Sequence, residues 1–148
     1  MSPHRPPRYK LWNVYYGPCH NINTKENGSA RSKYYIIVRI CERHVHCALI
    51  GSKQSQIPVI RQCQMPIEPK DIIDPDPSGA MIHKQSWLSV HTKLEGGHLF
   101  TLPRYVQGGH KRVGKLSDVV IRAVSKLIEA CENIEREHKD FLLGEADC

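Results

Sequence analysis

The chain has 148 residues, of which 40% are hydrophobic and 24% charged, a balance typical of one globular domain with its own core. The formal net charge is +6, with nine histidines besides, so we expect an acidic partner, of which nucleic acid is the commonest. No segment approaches the roughly 18 apolar residues of a membrane span, and the proline-rich, basic segment 1–10 lacks the apolar run of a secretory signal. We therefore predict a cytoplasmic protein without membrane contact, whose six cysteines are reduced thiols.

The first part of the chain alternates predicted strands with polar loops. Residues 1–8 are rich in proline and are predicted to form a flexible basic arm. The polar segment 17–32 is predicted to be a long loop, and loops of this length in a compact domain are often functional. β-Branched and aromatic residues predict strands, in chain order, at 11–16, 34–41, 43–50, 57–65, 71–73, 81–93 and 99–106.

One helix is predicted after this series of strands. A Gly-Lys-Leu step at 114–116 leads into Ser117, a good N-cap residue, and Asp118 follows where the helix dipole favours negative charge. Apolar residues then recur at helical spacing: Val120, Ala123, Val124, Leu127, Ile128, Cys131 and Ile134. The acidic segment 139–148 is predicted to be a flexible tail, so we expect the folded domain to span residues 9–138.

Short strands joined by polar loops and followed by one helix predict the fold class. The expected protein is mostly β with a C-terminal helix, and its sheet is expected to form a small barrel or a curled sheet. The segment 34–41 is apolar on both faces, as in a barrel strand that is buried on both sides. The apolar stripe of the helix would then pack on that barrel.

Four short motifs follow one another along this chain. A loop rich in Gly, Ser and cations leads into an apolar strand, a Gly-Ser step ends the next strand, a later strand contains Ser, and a Gly-x-Leu-Ser step opens the helix. These motifs are Asn27–Lys33 with Tyr34–Val38, Leu49–Lys53, Gln85–Leu88 and Gly114–Ser117. In this order they resemble the PemK/MazF toxin family, over about residues 9–138.

The resemblance implies an SH3-like β-barrel, a homodimer, and metal-independent endoribonuclease activity on single-stranded RNA. A small acidic antitoxin is a further implied partner, and no cofactor or metal is expected. The Arg-Pro pair that commonly opens the second strand of the family is absent here, and Gly51 stands at the Thr position of its Ile-Thr-Ser step. The alternative is therefore a non-catalytic barrel that serves as a nucleic-acid- or protein-binding module in a larger assembly.

Cleavage of RNA without a metal needs a base for the 2′-hydroxyl, an acid for the leaving oxygen, and cations for the phosphate. Arg31 and Lys33 are the candidate cations, and Ser52 could position the phosphate by hydrogen bonding. His44 and His46 are two residues apart, so on a strand both project to one face and could move protons near neutral pH. His20 and His83 are further candidates for that role.

Other cations are candidates for binding the nucleic-acid backbone. The segment 108–115 combines glycines with three cations and is predicted to be a basic loop that suits a phosphate. Tyrosines of the predicted strands could stack on bases, although about half of them should belong to the core. The predicted backbone-binding residues are Lys25, Lys53, Arg104, Lys111, Arg112 and Lys115.

A zinc-binding adaptor is a third interpretation. Cys41, His44, His46 and Cys47 place four possible ligands within seven residues. On a straight strand, however, both cysteines would face away from both histidines. We therefore predict that these four side chains do not converge on one ion.

Overall fold

The computed structural model describes residues 7–19, 32–77, 81–92 and 98–148. Its strands are β1 (Asn13–Pro18), β2 (Ser32–Ile40), β3 (His44–Gly51), β4 (Gln64–Ile67), β5 (Ile72–Ile73), β6 (Ser86–Ser89), β7 (Leu99–Pro103) and β8 (Lys111–Leu116). Its helices are α1 (Pro58–Arg61), α2 (Asp118–Ala130) and α3 (Arg136–Leu142), and a single 3-10 turn spans Pro69–Asp71.

The strands form one antiparallel sheet that curls into a half-barrel. Its order is β4-β6-β3-β2-β1-β8-β5, and β7 pairs with β3 outside this path. On the edge away from β2, residues 44–48 of β3 pair with β7 and residues 49–51 pair with β6. The prediction of a mostly β protein is therefore confirmed at the level of a curled antiparallel sheet with a few helices.

Several predicted segments differ from the structure, and among the described residues of the strand predicted at 81–93 only Ser86–Ser89 form a strand. The strand predicted at 57–65 is wrong in its first half because Pro58 begins α1, at the helical position whose N–H needs no partner. The loop predicted at 108–115 is wrong from Lys111 onward, because β8 begins there and pairs with β1. The basic segment is thus mostly a strand of the sheet rather than a free loop.

Both faces of the sheet are buried around β2, as its sequence predicts. Alternate residues such as Ile36 and Val38 enter a first core, which α2 covers with Val120, Val124 and Ile128. The residues between them, Tyr35 and Ile37, enter a second core with Tyr15, Cys47 and Phe100. A strand can serve two cores in this way because successive side chains point to opposite faces.

The start of α2 is fixed by backbone contacts rather than by the predicted cap. The Ser117 hydroxyl makes no capping hydrogen bond, and the Ser117 N–H donates to the Asp71 carbonyl over 2.9 Å. Gly114 allows this approach, since a Cβ there would lie 2.6 Å from Ile72 Cγ2 and 2.9 Å from the Ile73 carbonyl oxygen. Among the described ranges, no helix has both the length and the apolar character that crossing a bilayer requires.

A buried chain of hydrogen bonds crosses the second core. The Tyr9 and Tyr35 hydroxyls are 2.9 Å apart, and the Tyr35 hydroxyl lies 2.6 Å from His110 Nδ1. Burial raises the pKa of Tyr9 to about 12 and raises that of Tyr35 as well. Both phenols therefore remain neutral, and they tie the segment before β1 and the segment before β8 to the centre of β2.

Two disulfides correct the prediction of reduced thiols. Cys41 is bonded to Cys148 and Cys63 to Cys131, whereas Cys19 and Cys47 are free and buried. Neither pairing is visible from local sequence, because each joins residues far apart in the chain.

The segment 139–148, predicted as a flexible tail, is instead attached to the domain. Its first residues belong to α3, and Lys139 and Leu142 are buried. Further on, Arg39 Nη2 donates to the Ala146 carbonyl over 3.0 Å, and the Cys148 disulfide follows. The predicted boundary at residue 138 therefore falls inside a helix that packs on the fold.

Candidate functional site

A groove of about 360 Å³ opens where β2 begins and β3 ends, against the segment before β6. Its polar lining consists of Ser32, Lys33, Ser52, His83, Lys84 and Ser86. Among the described residues that line it there is no carboxylate. Hydroxyls and cations, with no carboxylate among the described lining residues, make this groove suited to an anionic ligand.

The β2–β3 hairpin explains why these residues meet. Tyr34 is paired with Ile50, so the antiparallel register brings Ser32 and Ser52, two residues further out on each strand, to the same end. Lys33 and Ser52, both predicted for the phosphate site, line this groove together, and Lys53 is exposed beside it. Arg31, predicted for the same site, lies outside the described residues, as do Lys25 of the predicted backbone-binding set and His20.

Two tyrosines form one wall of the groove. The rings of Tyr16 and Tyr34 lie with centroids 4.5 Å apart. The Tyr34 hydroxyl donates to the Met81 carbonyl over 2.8 Å and so holds the segment before β6 in place. Burial raises the pKa of Tyr34, and the neighbouring Tyr16 adds a smaller effect in the same direction. The hydroxyl therefore stays protonated and can donate. Both rings line the groove, whereas the sequence predicts stacking tyrosines only in general terms.

Lys33 also faces a second group of residues. Its charge acts on Cys19 and on His98, which belong to the other side of the sheet. Burial lowers the pKa of His98 to about 4, and His91 and Lys33 act in the same direction. Lys33 therefore stands at the border between the groove and a buried pair of neutral imidazoles, whose ring centroids are 4.2 Å apart.

His44 and His46 do not share a site with Ser52. They lie on one face of β3, as predicted, with ring centroids 5.0 Å apart. Six residues of extended chain separate His46 from Ser52, which places them about 20 Å apart. The predicted combination of these imidazoles with Ser52 is therefore wrong. The imidazole that lines the groove is that of His83, which the sequence offers only as a further candidate.

The remaining predicted cations divide into two kinds. Arg112 is engaged by Asp74 over 2.9 Å and by the Asn13 side-chain oxygen over 2.7 Å. Arg104 donates to two carbonyls of the β2–β3 turn, those of Cys41 and Glu42. These two guanidinium groups thus support the fold, and neither is among the described residues that line the groove.

The lysines of β8 differ from these arginines. Lys111 is exposed and pairs with Tyr16 of the groove wall, so it lies beside the groove. Lys115, at the other end of β8, pairs with Asn13 and with Ile73 of β5. The groove and its rim therefore hold Lys33, Lys53, Lys84 and Lys111 out of the described cations.

A second cluster lies at the far end of β3. Possible ligand atoms of Cys41, His44 and His46 all lie within 4.8 Å of one another. The prediction that Cys41 faces away from the histidines is wrong, because Cys41 lies beyond the end of β2, in the turn where its N–H donates to the His44 carbonyl. Cys47 faces the opposite core, as predicted, and is fully buried.

Comparison with models of known protein families gives no match, and comparison with curated protein sequences gives none either. The fold and the groove define the class of protein only as a curled antiparallel β-sheet with a cation-lined groove at one end of its β2–β3 hairpin. The likeness to PemK/MazF toxins stays a prediction from the sequence motifs.

Proposed function

We propose that the groove binds the backbone of single-stranded RNA and that the protein cleaves it as a metal-independent endoribonuclease. The observation that carries this proposal is the composition of the groove: lysines, serines and one imidazole against a wall of two tyrosines, with no carboxylate among its described lining residues. A phosphate would accept hydrogen bonds from Lys84 and Ser52, while Tyr16 and Tyr34 offer ring surface to a base.

The chemistry assigned to this groove needs one proton-transfer group. His83 is exposed and lines the groove, and imidazole is the side chain that most often serves as general acid or base in enzymes. It would take the proton of the ribose 2′-hydroxyl while that oxygen attacks the phosphorus. The bond from phosphorus to the 5′ oxygen then breaks, and the imidazolium returns the proton to that oxygen. The products are a 2′,3′-cyclic phosphate and a free 5′-hydroxyl.

Binding is tested with a short, fluorescently labelled single-stranded RNA of mixed sequence, titrated by anisotropy at several salt concentrations. Lys84→Ala should weaken binding and reduce the slope of log affinity against log salt by about one. Lys126→Ala is the matched control, because Lys126 is equally exposed but lies on α2. Equal effects of the two variants would show that binding reflects net charge alone and would overturn the groove assignment.

Cleavage is tested in EDTA on the same RNA, with the termini of the products analysed. His83→Ala should abolish cleavage and leave the affinity for RNA almost unchanged, whereas His46→Ala should cleave normally. Cleavage that survives His83→Ala would refute the role of this imidazole. Cleavage that disappears in EDTA and returns with Mg²⁺ would refute the metal-independent mechanism.

A binding module without catalysis is the second candidate. Among the described lining residues the groove holds a single imidazole, and Gly51 occupies the position where the PemK/MazF resemblance expects Thr. Salt-dependent binding of intact RNA with no cleavage product would favour this module. The acidic antitoxin and the homodimer implied by the resemblance remain proposals too, and an acidic partner that occupies the groove should compete with RNA for it.

A further inference from the structure

The cluster at the far end of β3 includes a fourth possible ligand. Cys148 is bonded to Cys41, so its sulfur lies at the same place as the cluster formed by Cys41, His44 and His46. It also lies 3.6 Å from the Ile40 carbonyl oxygen, beside the end of β2. Two cysteine sulfurs and two imidazoles therefore converge at this point.

The His46 imidazole packs edge-on against Phe141, with ring centroids 4.6 Å apart. Its Nε2 is buried and has no hydrogen-bond partner among the residues that the structure describes. A buried polar atom in this state costs free energy unless a ligand satisfies it. An imidazole nitrogen binds Zn²⁺ through its lone pair, so this unpartnered buried nitrogen suits a metal ligand.

The spacing of the ligand atoms is close to that of a zinc site. Tetrahedral Zn²⁺ with sulfur ligands at about 2.3 Å and nitrogen ligands at about 2.0 Å needs its ligand atoms about 3.3–3.8 Å apart. Cys41, His44 and His46 already lie within 4.8 Å of one another, so shifts of about 1 Å suffice. His44 is exposed and can make such a shift by rotating its side chain.

The charges at the cluster also suit a divalent cation. Two thiolates would neutralise Zn²⁺, so the complex would not repel the guanidinium of Arg39. Arg39 Nη2 binds the Ala146 carbonyl over 3.0 Å and so holds residue 148 near the histidines independently of the disulfide. The approach of Cys148 to the cluster therefore has a second support.

We infer that Cys41, His44, His46 and Cys148 form a zinc site that is available only when the Cys41–Cys148 disulfide is reduced. A dithiol supplies two electrons and two protons, becomes a disulfide itself, and splits the bond into two thiols. Zn²⁺ then displaces the two thiol protons and binds both thiolates and both imidazoles. The same two sulfurs cannot serve the disulfide and the ion at once, so the redox state decides which link holds residues 143–148 on the sheet.

The second disulfide lacks these features and serves as the internal comparison. Cys63 and Cys131 are both fully buried in the first core. Within the described part of the chain, three possible metal ligands come together at Cys41, but no such group forms at Cys63 or Cys131. Cys148, by contrast, is exposed, so a reductant can reach the bond that it forms.

The test uses the full chain, reduced with a phosphine under anaerobic conditions, and alkylation counts the free thiols. Titration with Co²⁺ should give the visible bands of a tetrahedral ion with thiolate ligands, and Zn²⁺ should displace it with one ion per chain. Cys148→Ser and His46→Ala should each weaken Co²⁺ binding by at least about 100-fold, more than loss of a supporting residue costs. His83→Ala is the matched control and should bind as the wild type does.

Each outcome decides the proposal. Absence of the tetrahedral bands in fully reduced protein would overturn it, as would bands that are unchanged in both Cys148→Ser and His46→Ala. A Cys41–Cys148 bond that resists reduction in the folded protein would also overturn it. Oxidised wild type should bind no Co²⁺ at this site, and far-UV circular dichroism of each variant establishes that the fold is intact. RNA binding is measured separately, so failure of the zinc site leaves the groove assignment untouched.

Discussion

Gly17→Ala tests the close packing between β1 and the segment before β8. Gly17 is buried opposite Lys33, and an added Cβ would lie 2.5 Å from His110 Cγ and 2.8 Å from its Cε1. These distances are well inside van der Waals contact, so the imidazole must turn away and lose its 2.6 Å hydrogen bond with Tyr35. Overpacking costs about 1–3 kcal/mol and a lost hydrogen bond about 1 kcal/mol, which gives a destabilisation of about 3 kcal/mol.

The assay is urea unfolding at pH 7, followed by tryptophan fluorescence and by circular dichroism. In a thermal scan, the same loss of about 3 kcal/mol corresponds to a fall in Tm of roughly 6–12 °C for a chain of this length. Gly51→Ala is the matched control, because a Cβ at Gly51 meets nothing within 4 Å, and its free energy of unfolding should change by no more than about 0.5 kcal/mol.

A double-mutant cycle isolates the cause of this effect. In the background of His110→Ala the ring is absent, so Gly17→Ala should then be almost neutral. A change below about 1 kcal/mol for Gly17→Ala alone, or an undiminished loss in the His110→Ala background, would refute the steric explanation.

Three further predictions concern stability. Burial lowers the pKa of His98 from its ordinary value of 6.5 to about 4 in the fold, so protonation favours the unfolded chain. The free energy of unfolding that comes from burying this neutral ring is fully present above about pH 6.5 and is lost as the pH falls toward 4. His98→Asn should therefore flatten that part of a plot of urea midpoint against pH, and an unaltered slope would contradict the burial argument. The Cys63→Ala/Cys131→Ala double variant opens a loop with a sequence separation of 68. In urea unfolding it should lose about 4 kcal/mol relative to wild type that keeps this disulfide. Relative to wild type in which reductant has already opened the bond, no such loss is expected. Arg112→Ala leaves the buried Asn13 oxygen without its 2.7 Å partner and should lower the free energy of thermal unfolding by about 1–2 kcal/mol; no change would mean that water replaces the guanidinium.

Local patterns in the sequence predict local structure well. The apolar run of β2 predicts burial on both faces, and the two cores confirm it. The spacing of His44 and His46 predicts that both lie on one face, and their ring contact agrees with this. These successes share a cause, because alternation along a strand follows from covalent geometry and needs no knowledge of the tertiary fold.

The candidate site depends on distances between residues in the folded chain, which the periodicity of the sequence does not determine. His46 and Ser52 are six residues apart in sequence, yet an extended strand places them at opposite ends of the sheet. Cys41 escapes the alternation of β2 because it lies in the turn beyond the last strand residue, Ile40. The link from Cys41 to Cys148 spans 107 residues and joins elements whose proximity only the assembled sheet creates. His83 precedes β6 in an irregular segment, although the sequence pattern predicts a strand from residue 81 onward.

The ends of the strand path limit how two copies of this chain could associate. β5 has two residues, and Pro75 follows soon after it. β4 has four residues and contains Pro66, which has no N–H to offer to a neighbour. Neither border therefore presents the row of backbone donors and acceptors on which an additional strand could assemble. At these two borders, association of two copies would accordingly rest on side-chain surfaces rather than on a sheet that continues across the subunits.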